Sequence, residues 1–150
     1  MIKIIRTDSK HEDFVDLVRL LDSELAERDG DEHSFYDQFN KVTAIKYVIV
    51  AYHDDLAISC GAVKEYNEDS MEIKRMYTTK AYRGKGIASK VLVALEQWSS
   101  ELGYKRCVLE TGLKQPEAIR LYEKNGYSLI PNYGQYAGVK NSRCFEKTVN

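Results

Sequence analysis

The stretch Arg83-Gly84-Lys85-Gly86-Ile87-Ala88 puts two glycines and a small residue at the start of a long amphipathic helix. The first N–H groups of a helix have no partner inside it, and the helix dipole favours an anion at that end. Glycine lets main-chain N–H groups approach such an anion without a Cβ in the way. The segment therefore predicts a site for a phosphate-bearing ligand, with a plain surface turn ahead of a core helix as the alternative.

Two nucleotide-binding motifs fit this segment poorly. The P-loop needs an upstream glycine and a hydroxyl after Gly-Lys, and neither stands in register here. The dinucleotide motif G-x-G-x-x-G matches at Gly84 and Gly86, but Ser89 takes the place of its third glycine. That motif also begins directly after a strand, whereas residues 80–83 intervene. A nucleotide-binding protein is therefore the weakest of the functions considered.

Composition excludes several classes of partner. The chain has 150 residues and a formal net charge of −1, so no overall basic field favours nucleic acid or an anionic membrane. The first residues, MIKIIRTDSK, are too polar for a signal peptide, and no apolar run is long enough to span a membrane. We therefore expect a single domain over residues 1–150 in the cytoplasm.

The three cysteines indicate a reduced protein without a metal site. Cys60, Cys107 and Cys144 are odd in number, lie far apart, and sit in or beside apolar runs. This pattern predicts buried free thiols rather than disulfides, a zinc site or a nucleophilic cysteine.

The elements that must position the glycine segment follow from hydrophobic periodicity and turn residues. The predicted order is β-α-(α)-β-β-β-α-β-α-β-β, with the weaker second helix at Glu32–Phe39. The strands are expected at residues 1–6, 44–52, 56–66, 71–79, 106–110, 127–130 and 142–149. This is an α+β fold: a mixed, mostly antiparallel sheet of about six to seven strands, helices on both faces, and one parallel strand-helix-strand crossover.

The segment MEIKRMYTTKAYRGKGIASKVLVALEQW resembles the central motif of the GNAT superfamily, the acyl-CoA-dependent N-acetyltransferases. Arg83, Gly86 and Ala88 fill the signature [Q/R]-x-x-G-x-[G/A]. A second family motif, a strand followed by A-x-x-L-Y-x-x-x-G-[F/Y], is filled by Ala118, Leu121, Tyr122, Gly126 and Tyr127. The element order also resembles the family fold, so the resemblance covers nearly the whole chain.

The resemblance implies that acetyl-CoA is the acyl donor and that its pyrophosphate binds at the glycine segment. It also implies that strand Glu72–Thr78 splays from strand Arg106–Glu110 and leaves a slot for the pantetheine arm. The donor-binding residues so implied are Met76, Tyr77, Thr78, Arg83, Gly84, Lys85, Gly86, Ile87, Ala88, Ser89, Gln115 and Ala118. Gln115 is a departure, because many members have asparagine there.

Two residues are candidates for the chemistry. The resemblance implies that Tyr122 is the general acid near the sulfur; a core tyrosine is the alternative. It also implies that Glu72 is the general base, but strand alternation puts Lys74 on the same face. An ion pair with Lys74 would stabilise the Glu72 carboxylate and weaken it as a base. Both readings of Glu72 stay open.

The acceptor is expected to be the primary amine of a small molecule or a protein. Tyr133 and Tyr136 are candidates for its pocket, with core packing or a dimer contact as alternatives. Asp29, Asp31 and Glu32 are interpreted as a solvated loop rather than an amine site. The alternative function is a non-catalytic acyl-CoA-binding or regulatory module of the same fold. A homodimer is expected only by analogy with the superfamily.

Overall fold

The computed structural model describes residues 1–29 and 45–150, and in this part of the chain seven strands form one mixed sheet flanked by three α-helices. The strands are β1 Ile2–Thr7, β2 Tyr47–His53, β3 Leu56–Asn67, β4 Ser70–Thr78, β5 Arg106–Gly112, β6 Ser128–Ile130 and β7 Ser142–Thr148. The helices are α1 Glu12–Asp29, α2 Ile87–Glu101 and α3 Pro116–Lys124. The predicted helix at Glu32–Phe39 lies outside the described residues.

The strands lie in the order β1-β2-β3-β4-β5-β7-β6, and the predicted fold class is confirmed. Every neighbouring pair is antiparallel except β4 and β5, which α2 connects as a parallel crossover. The observed strand ends differ from the expected ones by up to three residues, and at the first hairpin β2 continues through His53. The turn is therefore Asp54-Asp55, with Asp54 at a φ of 54°, a conformation that aspartate tolerates better than most residues.

Helices cover both faces of the sheet, as predicted. Helix α1 packs Phe14, Leu17 and Val18 against β2 and β3 on one face. Helices α2 and α3 pack on the opposite face, where Leu92 and Tyr122 belong to the larger core. The α1 face and the α2–α3 face are separate environments, so alternate residues of a strand such as β4 point into different surroundings.

All three cysteines are free and buried, as predicted. Burial raises the pKa of the Cys60 thiol to about 12 and those of Cys107 and Cys144 to about 11. These thiols stay protonated near neutral pH, which removes them as nucleophiles. Among the described helices, none combines the length and apolarity that crossing a membrane requires.

A β-bulge interrupts β4 in its middle. Cys60 of β3 pairs with Tyr77 and Ala62 pairs with Lys74, so Arg75 and Met76 together lie opposite the single residue Gly61. Arg75 has a φ of +59°, and its guanidinium donates a hydrogen bond to Asp22 of α1 over 3.0 Å. A bulge of this kind bends its strand and increases the local twist.

The sheet opens just before the bulge. β4 pairs with β5 only at Ser70, Met71 and Glu72, and no further pairs between these strands occur in the described structure. β5 meanwhile stays paired with β7 along its whole length, from Arg106 to Gly112. The two halves of the sheet therefore share one end and diverge at the other, which confirms the predicted splay.

We predict that Gly61→Ala destabilises the fold, because a Cβ at this position would lie 2.5 Å from the Met76 sulfur and 2.9 Å from Leu95 Cδ1. Overpacking of this kind costs about 1–3 kcal/mol in the free energy of unfolding. Urea unfolding followed by circular dichroism measures it. Gly112→Ala is the matched control, since its Cβ would meet no atom closer than 3.8 Å. Equal stability of the two variants would contradict the packing of Met76 against Gly61.

Candidate active site

A cavity of about 620 Å³ opens where β4 and β5 diverge. Its walls are β4, the loop that follows, the start of α2, helix α3 and the second half of α1. Both predicted catalytic residues, Glu72 and Tyr122, line it. So do the predicted donor-binding residues Met76, Tyr77, Thr78, Arg83, Gly84, Gly86, Ile87, Ala88, Ser89, Gln115 and Ala118. Lys85 does not line it, and its Nζ lies 5.6 Å from the ring centre of Tyr82 instead.

The glycine segment presents main-chain donors to this cavity. Gly84 and Gly86 have φ values of +76° and +80°, which favour glycine, and Gly86 caps α2 without a side-chain hydrogen bond. Within the described structure, the N–H groups of residues 84–89 form no hydrogen bond. A Cβ at either glycine would meet nothing within 4 Å, so the space in front of them is open. This arrangement fits an anion such as a diphosphate.

Arg83 fixes the position of this loop. Its Nε donates to the Thr78 carbonyl over 2.8 Å, and its Nη2 forms an ion pair with Glu24 of α1 over 2.9 Å. The hydrogen bond to Glu24 raises the pKa of Arg83. The guanidinium thus ties the end of β4 to α1. Its role as a phosphate ligand, and that of Lys85, stay predictions.

Tyr122 brings a protonated hydroxyl into the cavity. The side chain is 7% exposed and packs edge-on against Tyr127, with 5.7 Å between the ring centres. No described residue forms a hydrogen bond with its hydroxyl. Burial, reinforced by the charge of Glu110, raises its pKa well above the ordinary tyrosine value. The hydroxyl therefore keeps its proton across the working pH range and has it available to donate.

Glu72 holds two different partners in the same cavity. Its Oε2 accepts a hydrogen bond from the Tyr133 hydroxyl over 2.7 Å, and its Oε1 lies 3.7 Å from Lys74 Nζ. Both side chains of this ion pair are nearly buried, at 6% and 10% exposure. Burial lowers the pKa of Lys74, and the charge of Glu72 partly opposes this. The ion pair expected from strand alternation is thus present beside a carboxylate that faces the cavity.

Four ionisable side chains lie together on one wall of the cavity, which we call the inner wall: Glu72, Lys74, Glu110 and Tyr136. Glu110 lies close enough to influence the titration of both Lys74 and Tyr136. Tyr133 packs against Tyr136 with 5.9 Å between ring centres and supports the wall from behind. Tyr136 therefore lies where an acceptor-pocket residue was predicted. Asp29 ends α1, while Asp31 and Glu32 lie outside the described residues.

Several residues of the site escape prediction from the sequence. Arg28 of α1 reaches across the cavity to Glu117 of α3 with two hydrogen bonds of 3.0 and 3.3 Å. The Glu24–Arg28 spacing of four residues predicts an ion pair within α1 but does not reveal the cross-cavity partner. Asn125 donates to Ser89 Oγ over 3.1 Å and so joins the end of α3 to the first turn of α2.

The described residues offer no cluster of three or more His, Cys, Asp or Glu side chains arranged to hold a metal ion.

Comparison with known proteins agrees with this geometry. Residues 13–127 match the model of the Acetyltransferase (GNAT) family. Over 87 residues the chain is 40% identical to the uncharacterized N-acetyltransferase YjgM of Escherichia coli, covering 56% of this chain but only 52%, about half, of that protein.

Solved structures show the same fold over the full length. A proposed acyl-CoA N-acyltransferase from Klebsiella pneumoniae superimposes with a TM-score of 0.83 at 26% identity, covering 100% of this chain and 99% of the other. A GNAT family acetyltransferase from Elizabethkingia anophelis with acetyl-CoA bound gives a TM-score of 0.70 at 16% identity and 98% and 97% coverage. With a family model matched over most of its length, the chain belongs to the GNAT acetyltransferase family.

Proposed function

We propose that this protein moves an acetyl group from acetyl-CoA to a primary amine of a small molecule or protein by direct attack in a ternary complex. One observation carries the proposal. The unbonded N–H groups of residues 84–89 and the side chains of Tyr122 and Glu72 face one cavity, at the point where two parallel strands diverge. The family match and the acetyl-CoA held by the Elizabethkingia neighbour support the choice of donor.

The N–H groups of residues 84–89 receive the diphosphate of the donor, and the dipole of α2 adds to the attraction. Main-chain groups of β4 from Met76 to Thr78 lie along the slot and act as an added-strand partner for the pantetheine amides. The small side chain of Ala118 leaves room for the donor along the side of α3 that lines the cavity. Gln115 is the N-cap residue of that helix. Acetyl-CoA supplies the acetyl group already activated as a thioester.

The remaining steps are proton transfers by two side chains. An alkylammonium has a pKa of about 10.4, so the attacking nitrogen must lose a proton, and Glu72 accepts it. The neutral nitrogen forms its bond to the acetyl carbon as the carbon–sulfur bond breaks, and it loses its second proton to solvent as it becomes an amide. Tyr122 donates its hydroxyl proton to the departing sulfur; burial raises its pKa, which keeps the hydroxyl protonated until that step. The two residues exchange protons with solvent before the next turnover.

We predict that Gly86→Asp abolishes acetyl-CoA binding, because a carboxylate there would face the diphosphate at the point where the unbonded N–H groups converge. Isothermal titration calorimetry with acetyl-CoA measures the affinity. Gly138→Asp is the matched control, since Gly138 has a φ of +78° and open space around its Cβ position but does not line the cavity. Equal affinity in the two variants would remove the glycine segment from the donor site.

We predict that Tyr122→Phe lowers kcat about 100-fold or more and leaves the KM for acetyl-CoA within about twofold, because it removes an acid and no binding contact. Release of free CoA thiol measures the rate. Tyr127→Phe removes another buried tyrosine hydroxyl that does not line the cavity, and its kcat should stay unchanged. An undiminished kcat in Tyr122→Phe would leave Tyr122 as a packing residue.

We predict that Glu72→Gln lowers kcat/KM for the acceptor about 100-fold at pH 7. The deficit should shrink as the pH approaches about 10, where the acceptor amine loses its proton without help. A pH–rate profile of both proteins tests this, with Glu68→Gln in the exposed β3–β4 turn as the control. A deficit that is the same at every pH would show that Glu72 does not act as the base.

The alternative function, a non-catalytic acyl-CoA-binding module, predicts no turnover. Such a module would bind acetyl-CoA in the calorimeter yet release no thiol with any amine. Release of thiol that depends on an added amine would exclude it.

A further inference from the structure

The Glu72–Lys74 ion pair lies nearly buried in the wall of the cavity. Both residues stand two positions apart on β4, on the face opposite the core residues Met71 and Ile73, and both line the cavity. Their charged atoms lie 3.7 Å apart, with side chains 6% and 10% exposed. Burying two charges costs solvation free energy, and packing apolar residues in their place is often more stable.

The fold does not require this pair. β4 is held by its antiparallel ladder with β3 and by the apolar core on its other face. The loop between β6 and β7 is attached to Glu72 through the Tyr133 hydroxyl, which bonds Oε2 and not the oxygen that faces Lys74. The pair therefore points to a use inside the cavity.

Lys74 also creates a conflict with a simple amine acceptor. An ammonium group that approaches Glu72 Oε1 must displace the Lys74 ammonium from that oxygen. The two positive charges then lie close together in a nearly buried position, where they repel each other. Glu110, the other carboxylate of the inner wall, reduces this repulsion but does not remove it. Arg75 is paired with Asp22 over 3.0 Å, yet its positive charge and that of Lys64 still lower the pKa of Lys74, so a further cation beside Lys74 is disfavoured.

We propose that the acceptor is a free α-amino acid, whose ammonium group binds Glu72 and whose carboxylate binds Lys74; this rests on the proposed function. An amino acid carries an ammonium and a carboxylate on the same carbon, and Glu72 and Lys74 offer the opposite charges side by side. On binding, one internal ion pair is replaced by two ion pairs with the substrate, and the net charge of the cavity does not change. The Lys74 stem is long and flexible enough to make room, whereas Glu72 stays anchored by Tyr133.

The same wall selects against protein acceptors. A lysine side chain and a chain N-terminus carry an ammonium group but no adjacent carboxylate, so either would leave Lys74 beside a second cation. The acceptor is therefore a zwitterion and not any primary amine.

Matched acceptor sets test the proposal in the intact protein by thiol release from acetyl-CoA. Each set holds a free amino acid, its primary amide and its decarboxylated amine, for example phenylalanine, phenylalaninamide and phenethylamine, or leucine, leucinamide and 3-methylbutylamine. In at least one set we expect kcat/KM for the amino acid to exceed that of both analogues by about tenfold or more, since a charged hydrogen bond is lost in each analogue. The difference should lie mainly in KM.

Lys74→Met should erase this preference. We expect kcat/KM for the amino acid to fall about 10- to 100-fold, and kcat/KM for the amide and the amine to stay unchanged or rise. Lys74→Arg should restore part of the preference. Lys64→Met is the matched control, because Lys64 pairs with Glu72 across β3 and β4 but is exposed and does not line the cavity.

The outcomes separate this inference from the proposed function. Turnover of amines and amides as fast as amino acids in every set would overturn the inference and leave the acetyltransferase proposal standing. A Lys74→Met variant that loses activity equally on all acceptors would also overturn it. Binding of acetyl-CoA without turnover of any acceptor would instead contradict the proposed function. If Lys74→Met does not fold, the kcat/KM values of the unaltered protein for the amino acid, the amide and the amine of each set still test the preference for an amino acid.

Discussion

Two residues of β4 lie opposite one residue of β3, and this local mismatch lies where the sheet opens. Arg75 and Met76 share the space across from Gly61, where the Met76 sulfur occupies the position a Cβ would need. The bulge bends β4, whose pairing with β5 ends at Glu72. Because β5 remains paired with β7 to its end, the sheet must open. The cavity is thus a consequence of backbone pairing, stabilised by the Arg75–Asp22 contact with α1.

The opening gives the site two ends with different chemistry. At one end, the positive φ values of Gly84 and Gly86 direct main-chain N–H groups toward open space, where a diphosphate fits. At the other, burial raises the pKa of Tyr122 and keeps its hydroxyl protonated, and Glu72 offers a carboxylate oriented by Tyr133. Helix α1 connects the two ends, because Glu24 holds Arg83 of the glycine loop and Arg28 reaches Glu117 of α3.

Much of this could be predicted from the sequence, because the informative signals are local. Glycines ahead of an apolar stripe mark a helix start, and the period of β4 places Lys74 beside Glu72. Contacts between distant segments could not be predicted. Arg83 and Glu24 are 59 residues apart and Tyr133 and Glu72 are 61 apart, and neither spacing leaves a pattern. The bulge also gave no signal, since an arginine at positive φ breaks the usual preference for glycine.

The proposed mechanism requires that the open strand pair and the unbonded N–H groups of residues 84–89 together bind acetyl-CoA. Amide hydrogen exchange, followed residue by residue with and without saturating acetyl-CoA, measures this binding at each main-chain group. We expect exchange to slow at least about tenfold at residues 84–89 and along β4 beyond Glu72, while Gly138 is unaffected. Bound acetyl-CoA that leaves exchange at residues 84–89 unchanged would contradict it.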